Sequence, residues 1–241
     1  MTPSAILFGS IGVLSETSDM QRRAYNQALA EAGVSWKWDQ ATYSELLEMS
    51  GGRDRLSMLG RATGQPFDEA QIVSIHARKT ELACAMVREH AQLRPGVLEL
   101  VELAKDQGLA LGLVTSTYAA NIDAILDASA GALSRSDFGV IVDREAVSEG
   151  KPAPDAYLKA LRALNLRADQ ALAIEDTAVS IASARRAGIE VVATPGALTS
   201  DQDFHEARLV LPQLSVAGGR LDPRLLSILT GDTAAQLRAV P

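Results

Sequence analysis

Ala5–Ile6–Leu7–Phe8–Gly9–Ser10–Ile11–Gly12–Val13–Leu14 is a short apolar run that breaks into a glycine-flanked turn and then resumes with Val and Leu. Four apolar residues in a row suit a strand covered on both faces, and Gly-Ser closes it. Five more runs of the same kind follow at Ala110–Val114, Gly139–Val142, Ala171–Ile174, Glu190–Ala193 and Arg208–Leu211. Helical patterns separate them: Val97, Leu100, Val101 and Ala104 repeat at helical spacing and stop at Gly108. Alternation of this kind predicts an α/β fold with a doubly wound parallel sheet, Rossmann-like in its layering. Asp155 and Thr177 read as helix N-caps. Gly188 reads as a helix stop, and Asp222–Pro223 as the cap and first residue of a short last helix.

One stretch breaks the alternation. From Ser18 to about Glu89 only helical patterns occur, punctuated by Gly33, Gly51–Gly52 and Gly64. A helical cap inserted after the first strand explains this, with Leu93–Arg94–Pro95–Gly96 as the return hinge. The expected division is therefore a core over 1–17 and 93–241 and a helical unit over 18–92. Within that unit, Met20, Ala24, Ala28 and Tyr25, Leu29, Ala32 follow helical periodicity and read as packing, as do Trp36 and Trp38. His76, His90 and His205 have no partner at ligand spacing and read as surface or packing residues. The polar tail after Gly231 is expected to fray.

At 241 residues the chain has room for one α/β domain with a sizeable insertion. A 47% hydrophobic and 22% charged composition places it among folded globular chains. The net charge of −7, with acids and bases interleaved, argues against a nucleic-acid partner and a polybasic membrane anchor. The single cysteine, Cys84, rules out an intramolecular disulfide, and its apolar helical setting predicts a packed thiol. No apolar run approaches the roughly 20 residues of a membrane span. No basic segment followed by a secretory apolar run opens the chain, so a cytoplasmic location is the expectation.

Open α/β sheets bind ligands beyond the carboxyl ends of their strands. Thr115 follows the second strand, Lys151 lies in Gly150–Lys151–Pro152–Ala153–Pro154–Asp155 beyond the third, and Glu175–Asp176 ends the fourth. A hydroxyl and an ammonium suit a phosphate, and paired acids suit a hard cation. Each feature alone is more often a cap or a solvated loop residue. Together, in strand order, they point to one site.

These residues resemble the motifs of the haloacid dehalogenase superfamily, and within it the branch holding β-phosphoglucomutase, phosphoglycolate phosphatase and the CbbY-like sugar-bisphosphate phosphatases. Thr115 is similar to the second motif, Lys151 to the third and Glu175–Asp176 to the fourth. The resemblance implies a phosphohydrolase fold with Thr115 and Lys151 on the phosphate. It implies Mg²⁺ on Glu175 and Asp176, and a cap that selects the substrate. Ser50–Gly51–Gly52–Arg53–Asp54–Arg55–Leu56 is similar to a cap loop that meets a phosphosugar, with Arg53 the expected contact.

The first motif departs from the family. Its pattern is Phe-Asp-x-Asp-Gly-(Val/Thr)-Leu, in which the first Asp is the nucleophile and a metal ligand and the second is the general acid/base. Here Phe8, Gly12, Val13 and Leu14 keep the frame, while Gly9 and Ile11 stand at the two aspartate positions. Glycine cannot attack phosphorus, and isoleucine cannot supply the proton transfer that contributes typically about 100- to 10,000-fold. Strand alternation would turn Ser10 away from positions 9 and 11, and Glu16 is placed at the cap hinge. The expectation is a non-catalytic relative with a weakened Mg²⁺ site that binds a sugar phosphate or a protein partner. The competing reading is an active phosphatase with an unusual nucleophile or an activated water. A mononucleotide loop at Gly9–Gly12 is disfavoured, because no third glycine and no Gly-Lys-Ser/Thr follow.

Overall fold

The computed structural model describes residues 2–232. The tail from 233 onward, where fraying was expected, lies outside the described residues. Six strands form one parallel sheet: β1 (Ala5–Phe8), β2 (Ala110–Val114), β3 (Val140–Val142), β4 (Ala171–Glu175), β5 (Glu190–Ala193) and β6 (Leu209–Val210). Their order is β3-β2-β1-β4-β5-β6, so the chain reverses direction across the sheet between β1 and β4. That reversal opens a crevice at their carboxyl ends. The register is tight around β1, where Phe8 stands level with Leu113 of β2 and with Ile174 of β4. The third and sixth strands are shorter than their apolar runs. A small hairpin of β7 (Ser215–Val216) and β8 (Arg220–Leu221), not evident from the sequence, precedes the last helix.

The sheet is buried on both faces, as the unbroken apolar runs require. Ile6 and Phe8 face one core with Leu113, Ile174 and Leu100. Ala5 and Leu7 face the other with Val114, Ala173 and Tyr157. Between β1 and β2 lie α1 (Ser18–Glu31), α2 (Gln40–Leu46), α3 (Gly52–Ala62), α4 (Glu69–His90) and α5 (Val97–Asp106). The first four build a third core from Tyr25, Leu29, Trp38, Tyr43 and Leu56, among others. Tyr25 meets Trp38 edge to face at 4.9 Å between ring centroids. Trp38 is thus packing, as expected, while Trp36 is exposed. Gly33 and Gly64 carry positive φ at the breaks between helices. Cys84 is buried and donates from Sγ to Ala120 O at 3.3 Å.

The remaining helices are α6 (Ala119–Ala128), α7 (Asp155–Leu164), α8 (Ala178–Arg186) and α9 (Pro223–Thr230). Thr177 caps α8 and Asp222 caps α9, with Pro223 in its first turn. Asp155 does not cap α7: Pro154 holds the cap position, and Asp155 opens the helix as an acid in the first turn. Among the described residues no helix is long and apolar enough to cross a membrane.

The return from α4 to the sheet is fixed by Arg94. Its backbone N–H donates to Leu14 O at 2.8 Å. Its guanidinium donates to Thr194 O at 2.6 Å, Pro195 O at 3.0 Å and Pro212 O at 2.7 Å, and also to Gly12 O. Four loop carbonyls therefore share one planar cation. Arg94→Ala is expected to lower stability by about 2–3 kcal/mol, the scale of lost charged hydrogen bonds with carbonyls left unpaired. Arg94→Lys is expected to recover less than half of that loss, because an ammonium lacks the guanidinium fork. Urea denaturation of the three proteins measures both.

Candidate ligand site at the carboxyl edge of the sheet

Because Phe8 and Ile174 are level, the residues following them meet: Gly9 N–H donates to Ile174 O at 3.0 Å, and Glu175 comes next on β4. On the other side, Thr115 N–H donates to Val142 O at 2.9 Å. A cavity of about 240 Å³ opens above this edge. Its walls include Gly9, Ser10, Ile11, Thr115, Lys151, Glu175 and Asp176 from the sheet side, and Arg53 from the helical side. The expected phosphate, metal and sugar contacts and both altered first-motif positions thus border one space.

Ser10 is not turned away. β1 ends at Phe8, and Ser10 O accepts from Val13 and Leu14 N–H in a turn, so strand alternation no longer applies. Ser10 Oγ and Thr115 Oγ1 share a hydrogen bond of 2.7 Å. Glu16, by contrast, does not line the cavity. Its Oε1 accepts from Ser18 N–H at 3.0 Å, and its Oε2 is buried without a partner.

The charged groups are arranged differently from the sequence expectation. Lys151 is almost fully buried; its Nζ donates to Val114 O at 3.1 Å and forms an ion pair with Glu175 Oε1. Tyr157 OH donates to the same carboxylate oxygen. Glu175 Oε2 points toward Gly9: a Cβ at position 9 would lie 2.5 Å from it and 2.8 Å from Val13 Cγ2. Gly9 does not have positive φ, so its backbone does not require glycine; the carboxylate occupies the side-chain space. Ile11 is half-buried against the core and does not fill that space. Burial, followed by the charges of Glu175 and Glu16, pushes the Asp176 carboxyl well above the ordinary carboxylate range.

An Mg²⁺ site of the expected kind does not fit this donor set. Glu175 is committed to Lys151 and Tyr157, and Gly9 contributes no carboxylate. Among the described residues no three His, Cys, Asp or Glu side chains stand where one ion could reach them all. Of the expected metal pair, Glu175 Oε1 is taken by Lys151 and Tyr157, which leaves Glu175 Oε2 and Asp176 as the carboxylate groups at the cavity edge.

The helical wall carries groups that sequence patterning assigned to packing. His76 and Tyr25 border the cavity, and a Cβ at Gly52 would lie 2.3 Å from Tyr25 OH and 2.5 Å from His76 Nε2. Tyr25 OH is buried without a hydrogen-bond partner. Burial depresses the His76 imidazole to about 4. Lys79 is buried, its Nζ donating to Gln21 Oε1 and lying 4.7 Å from the Tyr25 ring centroid. Gln21 Nε2 in turn donates to Asn121 Oδ1 at 3.2 Å. Lys79 therefore faces a neutral amide rather than a carboxylate, and burial, followed by the charge of Arg55, lowers it to about 7. Its signal in the sequence was a lysine on the stripe Ile72, Ile75, Lys79, Ala83, Val87, whose other members are all buried and apolar. Arg53 stays half-exposed at the rim, its Cζ 5.9 Å from the Tyr118 ring centroid.

Comparison with known proteins agrees with this architecture. The family model described as haloacid dehalogenase-like hydrolase matches residues 4–188. The CbbY protein of Rhodobacter capsulatus is 37% identical over 226 residues, covering 93% of this chain and 100% of the relative. A crystal structure of a CbbY variant from Rhodobacter sphaeroides, in complex with xylulose-(1,5)bisphosphate, superposes with a TM-score of 0.84 at 36% identity. That alignment covers 91% of this chain and all of the other. The β-phosphoglucomutase of Clostridium difficile shares the fold, at a TM-score of 0.75 and 17% identity over 98% of this chain and 96% of the other. With the match extending over most of the sheet and all of the inserted helices, the chain belongs to the haloacid dehalogenase-like hydrolase family.

Proposed function

We propose that this chain is a non-catalytic member of its family that binds a phosphorylated sugar in the cavity between sheet and helices. One observation carries the reading. The space where the family's nucleophile would stand contains no side chain of its own and is filled by the carboxylate of Glu175. In-line attack needs a nucleophile directed at phosphorus, and proton delivery needs a titratable group at position 11. Gly9 and Ile11 supply neither.

Binding is a separate matter. The Ser10 and Thr115 hydroxyls suit one phosphate, with Lys151 behind them. Across the cavity, Lys79 is a buried cation without an acidic neighbour, and Arg53 is poised at the rim. A buried ammonium facing a neutral amide is best satisfied by an anionic ligand. A sugar carrying two phosphates fits both ends, and the bisphosphate bound to the relative guides the choice of probe. The helices over 18–92 then act as the cap and the remainder as the core. A small anionic ligand accounts for these groups, and no observation calls for a protein partner.

The competing reading of an active phosphatase draws on one finding, that Ser10 borders the cavity. Its Oγ is bonded to another hydroxyl and not to a base, and Glu16 lies outside the cavity wall. Incubation with Mg²⁺ and a panel of phosphosugars and phosphoglycolate is expected to give no turnover above background. Turnover that disappears in Asp176→Ala would sink the non-catalytic reading.

Calorimetric titration with xylulose-1,5-bisphosphate is expected to show binding. Lys79→Met is expected to weaken it by about tenfold or more, the scale of one charged hydrogen bond. Arg53→Ala, at the exposed rim, is expected to weaken it only about threefold. No binding, or identical affinity in Lys79→Met, counts against the assignment.

Lys79 also leaves a signature in stability. Its folded value of about 7 lies below the ordinary 10.5, so between these pH values the unfolded chain takes up the proton first. Its contribution to stability therefore rises with pH across that window and is lowest below about 7. Lys79→Met is expected to be the more stable protein at pH 7, by about 1–4 kcal/mol, and to lose that rise. Thermal denaturation at pH 7, 8 and 9 tests this; a less stable variant with an unchanged slope would contradict it.

A further inference from the structure

Glu175 stands apart among the buried groups, because the family pattern gives it a metal while the geometry gives it other partners. Its Oε1 accepts from both Lys151 Nζ and Tyr157 OH. Its Oε2 receives no hydrogen bond from the described residues and lies where a side chain at position 9 would begin. Lys151 directs its donors to Glu175 Oε1, to Val114 O at 3.1 Å and to Tyr157 OH at 3.5 Å. The ammonium is thus neutralised from within the fold. A divalent cation at the same carboxylate would lie beside that ammonium in a buried setting, where repulsion between like charges is weakly screened.

Charge balance leads to the same conclusion. With Gly9 in place of an aspartate the edge has lost one negative charge, and the Lys151–Glu175 pair sums to zero. Besides Glu175, the acids on the cavity wall are Asp176 at the sheet edge and Asp54 on the helical side. Burial and the charges of Glu175 and Glu16 weigh most on Asp176, with the cations Lys151 and Arg94 acting the other way. Mg²⁺ binds through one or two carboxylates completed by phosphate oxygens and water in near-octahedral geometry. Here one carboxylate is bonded to an ammonium through one of its oxygens, which leaves Asp176 as the one sheet-edge acid without such a partner among the described residues.

We infer that Glu175 has taken over the space and the counter-ion role of the missing aspartate, so that this pocket binds its phosphate-bearing ligand without Mg²⁺. The inference rests on the reading that this end of the cavity takes a phosphate. It differs from that reading in what it says about the metal, and the two can fail separately.

Three measurements on the full chain decide it. Electron paramagnetic resonance with Mn²⁺ as probe is expected to show no stoichiometrically bound ion. A bound ion that Asp176→Asn abolishes would overturn the inference and leave the ligand reading intact. Calorimetry with xylulose-1,5-bisphosphate is expected to give Kd values within about twofold in Mg²⁺ and in EDTA. Binding about tenfold or more tighter with Mg²⁺ would overturn the inference alone, whereas no binding in either buffer would overturn both. Finally, Glu175→Gln leaves the Lys151 ammonium without its counter-ion. Inorganic phosphate is then expected to raise the Tm of the variant more than that of the wild type. An equal effect would contradict the role given to Glu175. Should the variant fail to fold, the two wild-type titrations decide.

Discussion

The register of β1 between its two parallel neighbours is the constraint on which the rest of the molecule depends. Phe8 is level with Leu113 and Ile174, so each chain segment leaves the sheet at the same height. Parallel strands need crossover connections, and here those crossovers are helices on both faces. The loops after β1, β2 and β4 therefore crowd one edge, and a slip of one residue in β1 would exchange its two buried faces. Gly9 meets Glu175 only because Phe8 meets Ile174 first.

At that edge the flank of Gly9 is met by the carboxylate of Glu175 and a methyl of Val13. A vacant space in a close-packed interior forfeits contacts on every wall. The Glu175 carboxylate extends into it, anchored through its other oxygen by Lys151 and Tyr157. A buried ion pair of this kind adds little net stability, because desolvation offsets much of its attraction. Its consequence is specificity of arrangement: the lysine that would meet a ligand phosphate is already occupied, and the carboxylate that would meet a metal is turned to the lysine.

The opposite wall of the cavity shows the reverse condition. Lys79 is buried with no acid beside it, and Tyr25 OH is buried with no partner. Groups left unsatisfied in this way weaken a fold and are characteristic of places built to receive a ligand. The sheet side is internally neutralised, and the helical side is left positive. Under the proposed binding function, a ligand would be anchored mainly by the helical wall.

The local pattern of the sequence determined much of this. Apolar runs located all six strands of the sheet, and helical spacing and glycines marked the insertion; the reading of Phe8, Gly12, Val13 and Leu14 as the frame of an altered first motif came from the family resemblance. Each of these is a property of a few consecutive residues. What only the tertiary structure decided lies in the pairs distant in sequence. Ser10 turned into the cavity because its strand had already ended, and Asp155 ceded its cap to Pro154. His76, Tyr25 and Lys79, read along their helices as packing or left unremarked, became a polar wall once Gly52 was brought against them. Glu175 reads as a metal ligand in its own motif, and only the approach of Lys151, Tyr157 and the empty flank of Gly9 gives it a different partner. Side-chain charge is written in the sequence, but the counter-ion it finds is set by the fold, because that partner is a matter of distance in space.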